Sequence, residues 1–403
     1  MSIDQLYKRG VQALYTGINS TDVKERNRGL LLRLLCCEGA ASRIEMSRKS
    51  GLSKMAITNI IAQLIADGWI RETHLTETSR AGRNPMGLAL SEEAPCVLGV
   101  YISREGATAV LADACCTLLS RNAVAFHEES KETFWEKIHG VVLAAYQHAG
   151  KRVVLGIGIA AIGPLDCEKG ILLNPRNFYG ISNMPIGSML SEAFGLPVVL
   201  NNDMNAAALA EALFSPQHTR EFLYVGISHG VGAGIISDGR LYQNTGGLAG
   251  EIGHVGVDEN GPLCSCGRHG CLELYVSMPA IRQQAAEIMK MDLQELTPAR
   301  LSRVLLMPAC MPVIRQVERH LEYVLTGAVN LLNPEAIIIG HEGVYLPDVL
   351  LARLEQGLNR GILASGYRHV AVRRAAFGKD APLAGSVCCV LEKVFCGHLY
   401  EKA

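Results

Sequence analysis

Apolar residues recur along this chain at two different periods, and the change of period divides it. Between residues 23 and 67 they follow helical spacing. Residues 23–37 read as one helix. Ser42-Arg-Ile-Glu45 fits a capping box that opens a second, short helix stopping at Gly51, and Ser53 caps a third, residues 54–67, which Gly68 ends. In the third helix Ile57, Ile60, Ile61, Leu64 and Ile65 fall on one face and are expected in a core. That leaves Lys54, Met55, Ala56, Thr58 and Asn59 near an exposed N-terminal end. Residues 69–72 and 87–90 then read as two short strands around a polar loop, 76–86, while the first 20 residues are weakly patterned.

From Cys96 onward apolar strands alternate with longer helical patterns. Strands are legible at 97–102, 153–160, 198–200, 221–227, 232–236 and 336–340, and helices near 133–149, 205–213 and 312–332. This alternation predicts an α/β architecture of two lobes meeting at a cleft, preceded by a separate helical domain; the expected division is 1–90 and 96–403. Polar residues directly after a strand, such as Asn201-Asn202-Asp203 after Pro197-Val-Val-Leu200, fall where open α/β sheets bind ligands.

Net charge, −1 over 403 residues, excludes a uniformly basic nucleic-acid coat. The charge is unevenly spread, however. Between Arg43 and Arg83 seven basic residues face four acidic ones, and this segment holds the two helices joined by Gly51-Leu52, the pattern of a helix-turn-helix. Ser53, Lys54, Met55, Ala56, Thr58 and Asn59 are its candidate readers of a major groove. The 76–86 loop carries Arg80 and Arg83 on a tip with Gly82 and Pro85, which makes it a wing suited to a narrow minor groove. A three-helix domain with a solvated basic loop is the alternative.

Thirteen cysteines are spread along the chain, three pairs of them adjacent, which makes a poor disulfide framework and predicts reduced thiols. With no run near the roughly 20 apolar residues a bilayer span needs, a cytoplasmic protein is expected. Three cysteines stand apart. Cys264, Cys266 and Cys271, spaced Cys-x-Cys-x4-Cys in a glycine-rich loop, follow His254 closely enough to share one tetrahedral ion, and a closed Cys3His set predicts structural zinc rather than a disulfide or free thiols. Glu251 and Glu273 bracket this set and are read as groups that the metal loop holds in place.

These motifs together resemble the ROK family of repressors, open reading frames and sugar kinases, and within it the repressor branch. The resemblance rests on Gly163-Pro164, Asn201-Asn202-Asp203-Met-Asn-Ala-Ala-Ala, Gly250-Glu251-Ile-Gly-His254 and Cys264-Ser-Cys266-Gly-Arg-His-Gly-Cys271-Leu-Glu273, and it spans nearly the whole chain. It implies an actin-like, hexokinase-type pair of lobes behind a winged helix-turn-helix, and zinc on His254, Cys264, Cys266 and Cys271. It also implies a sugar held by Asn202, Asp203, Glu251, His254 and Glu273, with Asn177 matching a further sugar-binding asparagine in a stretch that lacks the family's usual tryptophan. In the family's kinases the residue matching Asp203 is the general base.

The kinase side of the resemblance breaks down. Where those enzymes carry Asp-x-Gly-Gly-Thr around the ATP phosphates, this chain has Tyr101-Ile-Ser103-Arg104-Glu105; His229 stands for a threonine, and His341-Glu342 interrupts a glycine pair. Side chains occupy the phosphate space and a carboxylate repels the ligand. The expected function is therefore a sugar-responsive transcriptional regulator without enzymatic activity, binding operator DNA as a dimer or dimer of dimers. Its inducer is a sugar, a sugar phosphate or a sugar-transporter protein. A sugar kinase with an appended DNA-binding domain is the alternative.

Overall fold

The computed structural model describes residues 19–38, 42–74, 86–242 and 248–398. Its contacts group into two units, one of residues 1–95 with 391–403, the other of residues 96–390.

In the first unit the helices are α1 (Ser20–Glu38), α2 (Arg43–Ser50) and α3 (Lys54–Ala66), followed by the antiparallel pair β1 (Ile70–His74) and β2 (Met86–Leu90). Local chemistry sets the boundaries. The Ser42 and Ser53 hydroxyls accept hydrogen bonds from the amides of Glu45 and Ala56, and Gly51 closes α2 at φ 72°, a backbone state glycine adopts without a Cβ penalty. Ile57, Ile60, Ile61 and Leu64 are buried as expected, but Ile65 is exposed. It lies a quarter-turn off the axis of that apolar face, so the stripe is narrower than the run of isoleucines suggests. The end of the chain belongs here too, since Gly29 of α1 lies directly against the backbone of Phe395.

The second unit contains two five-stranded sheets of the same topology. The first is built from β3 (Cys96–Ile102), β4 (Gly106–Ala112), β5 (Leu118–Ala125), α4 (Lys131–Gln147), β6 (Val154–Ala161), the small ribbon β7 (Leu165–Asp166) and β8 (Ile171–Leu172), α5 (Ile186–Phe194) and β9 (Val198–Asn202). Its order is β5-β4-β3-β6-β9, with β3, β6 and β9 parallel and β4 antiparallel to its neighbours. The helix α6 (Asp203–Phe214) leads into the second sheet, made of β10 (Phe222–Ile227), β11 (Val231–Ser237) and β12 (Arg240–Leu241). The helices α7 (Glu273–Val276), α8 (Met278–Met289), α9 (Pro298–Leu305) and α10 (Met311–Leu332) then precede β13 (Ala336–His341), α11 (Asp348–Gly361), β14 (Ala371–Arg374) and α12 (Ala381–Phe395). This sheet runs β12-β11-β10-β13-β14 and repeats the first: an antiparallel meander joined to parallel crossover strands.

Central strands are apolar on both faces, as parallel strands covered by helices must be. Leu98, Val100, Ile157 and Ile159 pack with Phe134 and Phe178 in one core, and Leu223, Val225, Ile337 and Ile339 with Leu321 and Leu354 in the other. Edge strand β5, by contrast, alternates between exposed and half-buried positions. Both sheets point the carboxyl ends of their parallel strands toward the segments that carry the motifs.

Two glycines separate packing from propensity. Gly158 in β6 faces the Ser386 carbonyl so closely that a Cβ would overlap it, whereas Gly140 in the exposed middle of α4 meets nothing within 4 Å. Gly158→Ala is expected to lower stability by about 2–3 kcal/mol and Gly140→Ala to raise it by about 0.5–1 kcal/mol. Urea unfolding of the two variants beside the parent checks both signs.

Candidate functional site

Strand β9 ends in Asn201-Asn202, and α6 starts at the next residue. Asn202 is its N-cap, the side-chain oxygen accepting from the Met204 amide at 2.9 Å, and Asp203 Oδ1 accepts from the same amide at 2.9 Å. The helix start thus fixes a carboxylate at a strand end, where backbone N–H groups favour negative charge. Asp203 is nonetheless buried. Burial pushes its carboxyl up to about 7, with Glu251 adding to the rise, while the Met204 amide and the Arg104 guanidinium oppose it.

Asp203 borders a cavity of about 810 Å³ between the two sheets. The six residues expected at a sugar site, Asn177, Asn202, Asp203, Glu251, His254 and Glu273, all line it. They come from both sides. Asn177, Asn202 and Asp203 lie on the side of the first sheet; Glu251, His254 and Glu273 follow the second sheet's β12. Glu251 too is held above its usual range, first by desolvation and then by Glu273, against the pull of His254. Asn177 sits at φ 53° beside Tyr179, also at φ 53°, and the Tyr179 hydroxyl donates to the Arg104 carbonyl at 2.9 Å. The Arg104 Nε–H in turn donates to the Arg176 carbonyl at 3.3 Å. Arg176 and Tyr179 lie in the same 174–180 stretch as Asn177, and sequence reasoning gave them no role.

The ligand atoms of His254, which lines the cavity, and of Cys264, Cys266 and Cys271 all lie within 4.8 Å of one another. Cys264 Sγ is 3.6 Å from His254 Nδ1, and the Cys266 and Cys271 sulfurs are 3.5 Å apart. Bonds of about 2.3 Å to sulfur and about 2.0 Å to nitrogen give a tetrahedron with edges of roughly 3.5–3.8 Å, which these two separations match. The loop is shaped for it. Gly270, at φ 60°, lies against the Asp258 carbonyl where no Cβ has room, and bridges between Gly256 and Cys271 and between Leu263 and His269 hold the turn. Hydrogen bonding by Arg268, its backbone first, lowers the Cys266 thiol to about 6, while burial raises Cys264 and pushes Cys271 up to about 12. Glu273 is tied to this cluster, its Oε1 accepting from the Cys264 thiol at 3.2 Å and lying 3.6 Å from His254 Nδ1.

In the first unit Ser53, Lys54, Met55, Thr58 and Asn59 are exposed and Ala56 is half-buried. Ser53 Oγ is committed to capping, and the Thr58 hydroxyl donates to the Lys54 carbonyl at 2.9 Å. Met55, 76% exposed, is an apolar tip suited to a thymine methyl group. Arg80 and Arg83 lie outside the described residues. Part of the basic surplus is spoken for, since Arg43 pairs with Glu72 at 2.7 Å and Lys49 with Glu45 at 3.3 Å. Among the described residues no helix is long and apolar enough to cross a membrane.

Comparison with known proteins agrees with this layout. The ROK family profile matches residues 97–393, and the MarR family profile matches residues 25–81. The DNA-binding transcriptional repressor Mlc of Escherichia coli K12 is 29% identical over 375 residues, 90% of this chain and 92% of that protein. The xylose repressor of Caldicellulosiruptor bescii is 26% identical over 400 residues, 93% of this chain and 97% of that protein. Among solved structures, a ROK family transcriptional regulator described as a homologue of E. coli Mlc superposes with a TM-score of 0.78 at 29% identity, covering 94% of this chain and 98% of its own. The ROK hexokinase of Thermus thermophilus superposes with a TM-score of 0.62 at 29% identity, covering 73% of this chain and 97% of its own. The ROK profile spans well over half of the residues, and the chain belongs to the ROK family.

Proposed function

We propose that this chain is a sugar-responsive, DNA-binding transcriptional regulator, a repressor of genes for carbohydrate uptake or metabolism. One observation carries the reading: an amide and carboxylate set contributed from both sides of a cavity, in a chain that also exposes the N-terminal end of a capped helix-turn-helix. A sugar presents hydroxyls that both donate and accept, and Asn202, Asp203, Glu251 and Glu273 offer acceptors in number, with Asn177 and Asn202 supplying amide donors. Five carboxylates against two guanidinium groups line the cavity, which favours a neutral sugar over a strongly anionic one. Residues 1–90 are assigned to operator binding and 96–403 to effector binding and oligomerisation, as a dimer on a palindromic site.

The Cys3His donor set fits zinc, with His254, Cys264, Cys266 and Cys271 as ligands. Such an ion, when bound, supplies a rigid cross-link and no open coordination position. The chain's own residues do the binding: Glu273, at the start of α7 two residues after Cys271, faces the cavity, and Arg268 donates to the His254 carbonyl at 2.8 Å and fixes that turn. A carboxyl titrating near 7 beside a sugar site also suits a general base, and this favours the second reading, a sugar kinase. Against it stand Tyr101, Ser103, Arg104 and Glu105 in the place of an acidic and glycine-rich phosphate turn.

Capture of fragmented genomic DNA by the purified chain, repeated with D-glucose, D-xylose, N-acetyl-D-glucosamine and the 6-phosphates of glucose and N-acetylglucosamine, tests the function. A few palindromic fragments are expected, released by one sugar; Asp203→Asn should retain the same fragments and lose the release. Retention no better than random DNA at physiological salt sinks the regulator, and ADP formation with those sugars and ATP would establish the kinase.

Asp203 also has a stability signature. Its folded pKa of about 7 lies above the ordinary value of 3.8, so the folded state holds a proton that the unfolded chain has released. Stability therefore falls as pH rises from about 4 to 7 and levels off above, by up to about 4 kcal/mol at 1.36 kcal/mol per pH unit. Asn keeps the oxygen that accepts from Met204, so Asp203→Asn should be more thermostable than the parent at pH 8 and not at pH 4. Melting curves across that range decide it, and equal shifts at both ends contradict the buried carboxyl.

Cys266→Ala removes one ligand at a half-buried position. Metal analysis of the purified protein should drop from about one zinc per chain to a small fraction, and sugar-driven release should weaken by at least tenfold, about 1.4 kcal/mol. Operator binding without sugar should persist.

A further inference from the structure

The residues that replace the phosphate-handling turn have partners, and the partners are one another. Tyr101, in central strand β3 of the first sheet, reaches across the cavity to His341, the last residue of β13 in the second; Oη and Nε2 are 2.9 Å apart, and the rings meet edge to face at 6.3 Å and 69°. Next to them Glu105, in the β3–β4 turn, faces His229, in the β10–β11 turn, with Oε1 and Nδ1 3.0 Å apart. Both bridges join the two lobes.

Hydrogen bonding fixes the direction of the inner bridge. His341 Nδ1 accepts from the Glu342 amide at 2.9 Å, so the proton of the neutral ring sits on Nε2 and is donated to Tyr101 Oη. Burial holds that ring neutral, lowering its pKa to about 4. The His341 backbone is also placed with care. It adopts φ 55° and ψ −137°, an unusual state for a residue with a Cβ, and its amide donates to the Tyr224 hydroxyl at 3.0 Å. A backbone held in such a state needs its surroundings to over-determine it, and Tyr101 and Tyr224 do so from two sides.

We propose that Tyr101–His341, with Glu105–His229 beside it, is a cross-lobe latch that holds the two sheets in register without any nucleotide between them. The register matters because the cavity's polar set is split: Asn202 and Asp203 come with the first sheet, Glu251, His254 and Glu273 with the second. Only at one lobe spacing does a single small ligand touch both halves. Tyr101 and His341 are thus positioning residues for the cavity. The latch itself is a property of the ligand-free protein; its consequence for a sugar rests on the function proposed above.

Tyr101→Phe deletes the acceptor and keeps the ring, and Glu105→Gln weakens the outer bridge at an exposed side chain that cannot threaten folding. In ligand-free full-length protein, hydrogen–deuterium exchange should quicken at least tenfold at His341 and Glu342 and at the 103–106 turn in Tyr101→Phe. The same segments should respond more weakly in Glu105→Gln, and α4 and β14 not at all. His341→Gln combined with Tyr101→Phe should be no worse than the more severe single variant, since both break one bond. Of the sugars named above, the one that binds the parent most tightly serves as the probe; its Kd should rise at least tenfold in Tyr101→Phe while operator affinity stays unchanged. Unchanged exchange at both strand ends, or additive effects in the double variant, overturns the latch. If no sugar binds the parent, the effector reading fails on its own and the exchange arms still decide the latch.

Discussion

Like charge in a confined space is the constraint to which the rest of the cavity answers. Asp203, Glu251 and Glu273 face the same partly desolvated volume, and the first two are driven above their ordinary pKa by burial first, Glu251 adding to the rise of Asp203 and Glu273 to that of Glu251. Carboxylates this close persist only if something over-determines their positions. Each has an anchor of a different kind. Asp203 is gripped by the first turn of α6, Glu273 by the start of α7, and Glu251 by the turn that ends at His254, whose carbonyl accepts from Arg268. A loop folded by three cysteines and a histidine is stiff enough to hold two of the three where repulsion would otherwise spread them.

The duplicated sheet explains why these anchors converge. Each half begins with an antiparallel meander and ends with parallel strands whose carboxyl ends face the cavity, and chain reversals at those ends place polar groups without interrupting the hydrogen-bonded ladders. The first sheet delivers Asn202 and Tyr101 in this way, the second His341 and the turn bearing His229. The polar lining of the cavity is carried by the reversals, and the strands behind them are apolar on both faces.

Legibility in the sequence followed the range of the interaction. Helix boundaries in the first unit could be read because a serine cap and a glycine stop act over three or four residues, and the structure places both caps as expected. The cysteine and histidine cluster was legible for the same reason, its ligands lying within one loop. The strands that were read lie within a few residues of their positions, since burial on both faces makes an unbroken apolar run, but β4, β5 and β14 were not read. Ile65 misled because five apolar residues in a row of helix positions overfill the buried stripe. What could not be read was pairing at a distance: Tyr101 with His341, 240 residues on, and the end of α12 against Gly29, which places the last residues of the chain in the first unit. No local period encodes such partners. The turn at 101–105 read as a departure from the kinase pattern, and only the fold disclosed that Tyr101 and Glu105 meet His341 and His229.

That exchange bears on how a kinase-like cleft can serve as a switch. A ligand moves an equilibrium only through the difference in its contacts with the two states. With acceptors divided between the sheets, a sugar in an open cleft can engage one half, and in a closed cleft both. Two or three additional hydrogen bonds at about 0.5–1.5 kcal/mol each give a difference of roughly 1–4 kcal/mol, or about fivefold to a thousandfold. That range covers a useful regulatory response without chemistry on the ligand. A phosphoryl transfer site would have to spend part of the same contact energy on gripping a nucleotide and on reaching a transition state. A cleft that grips no nucleotide can apply it to closure alone.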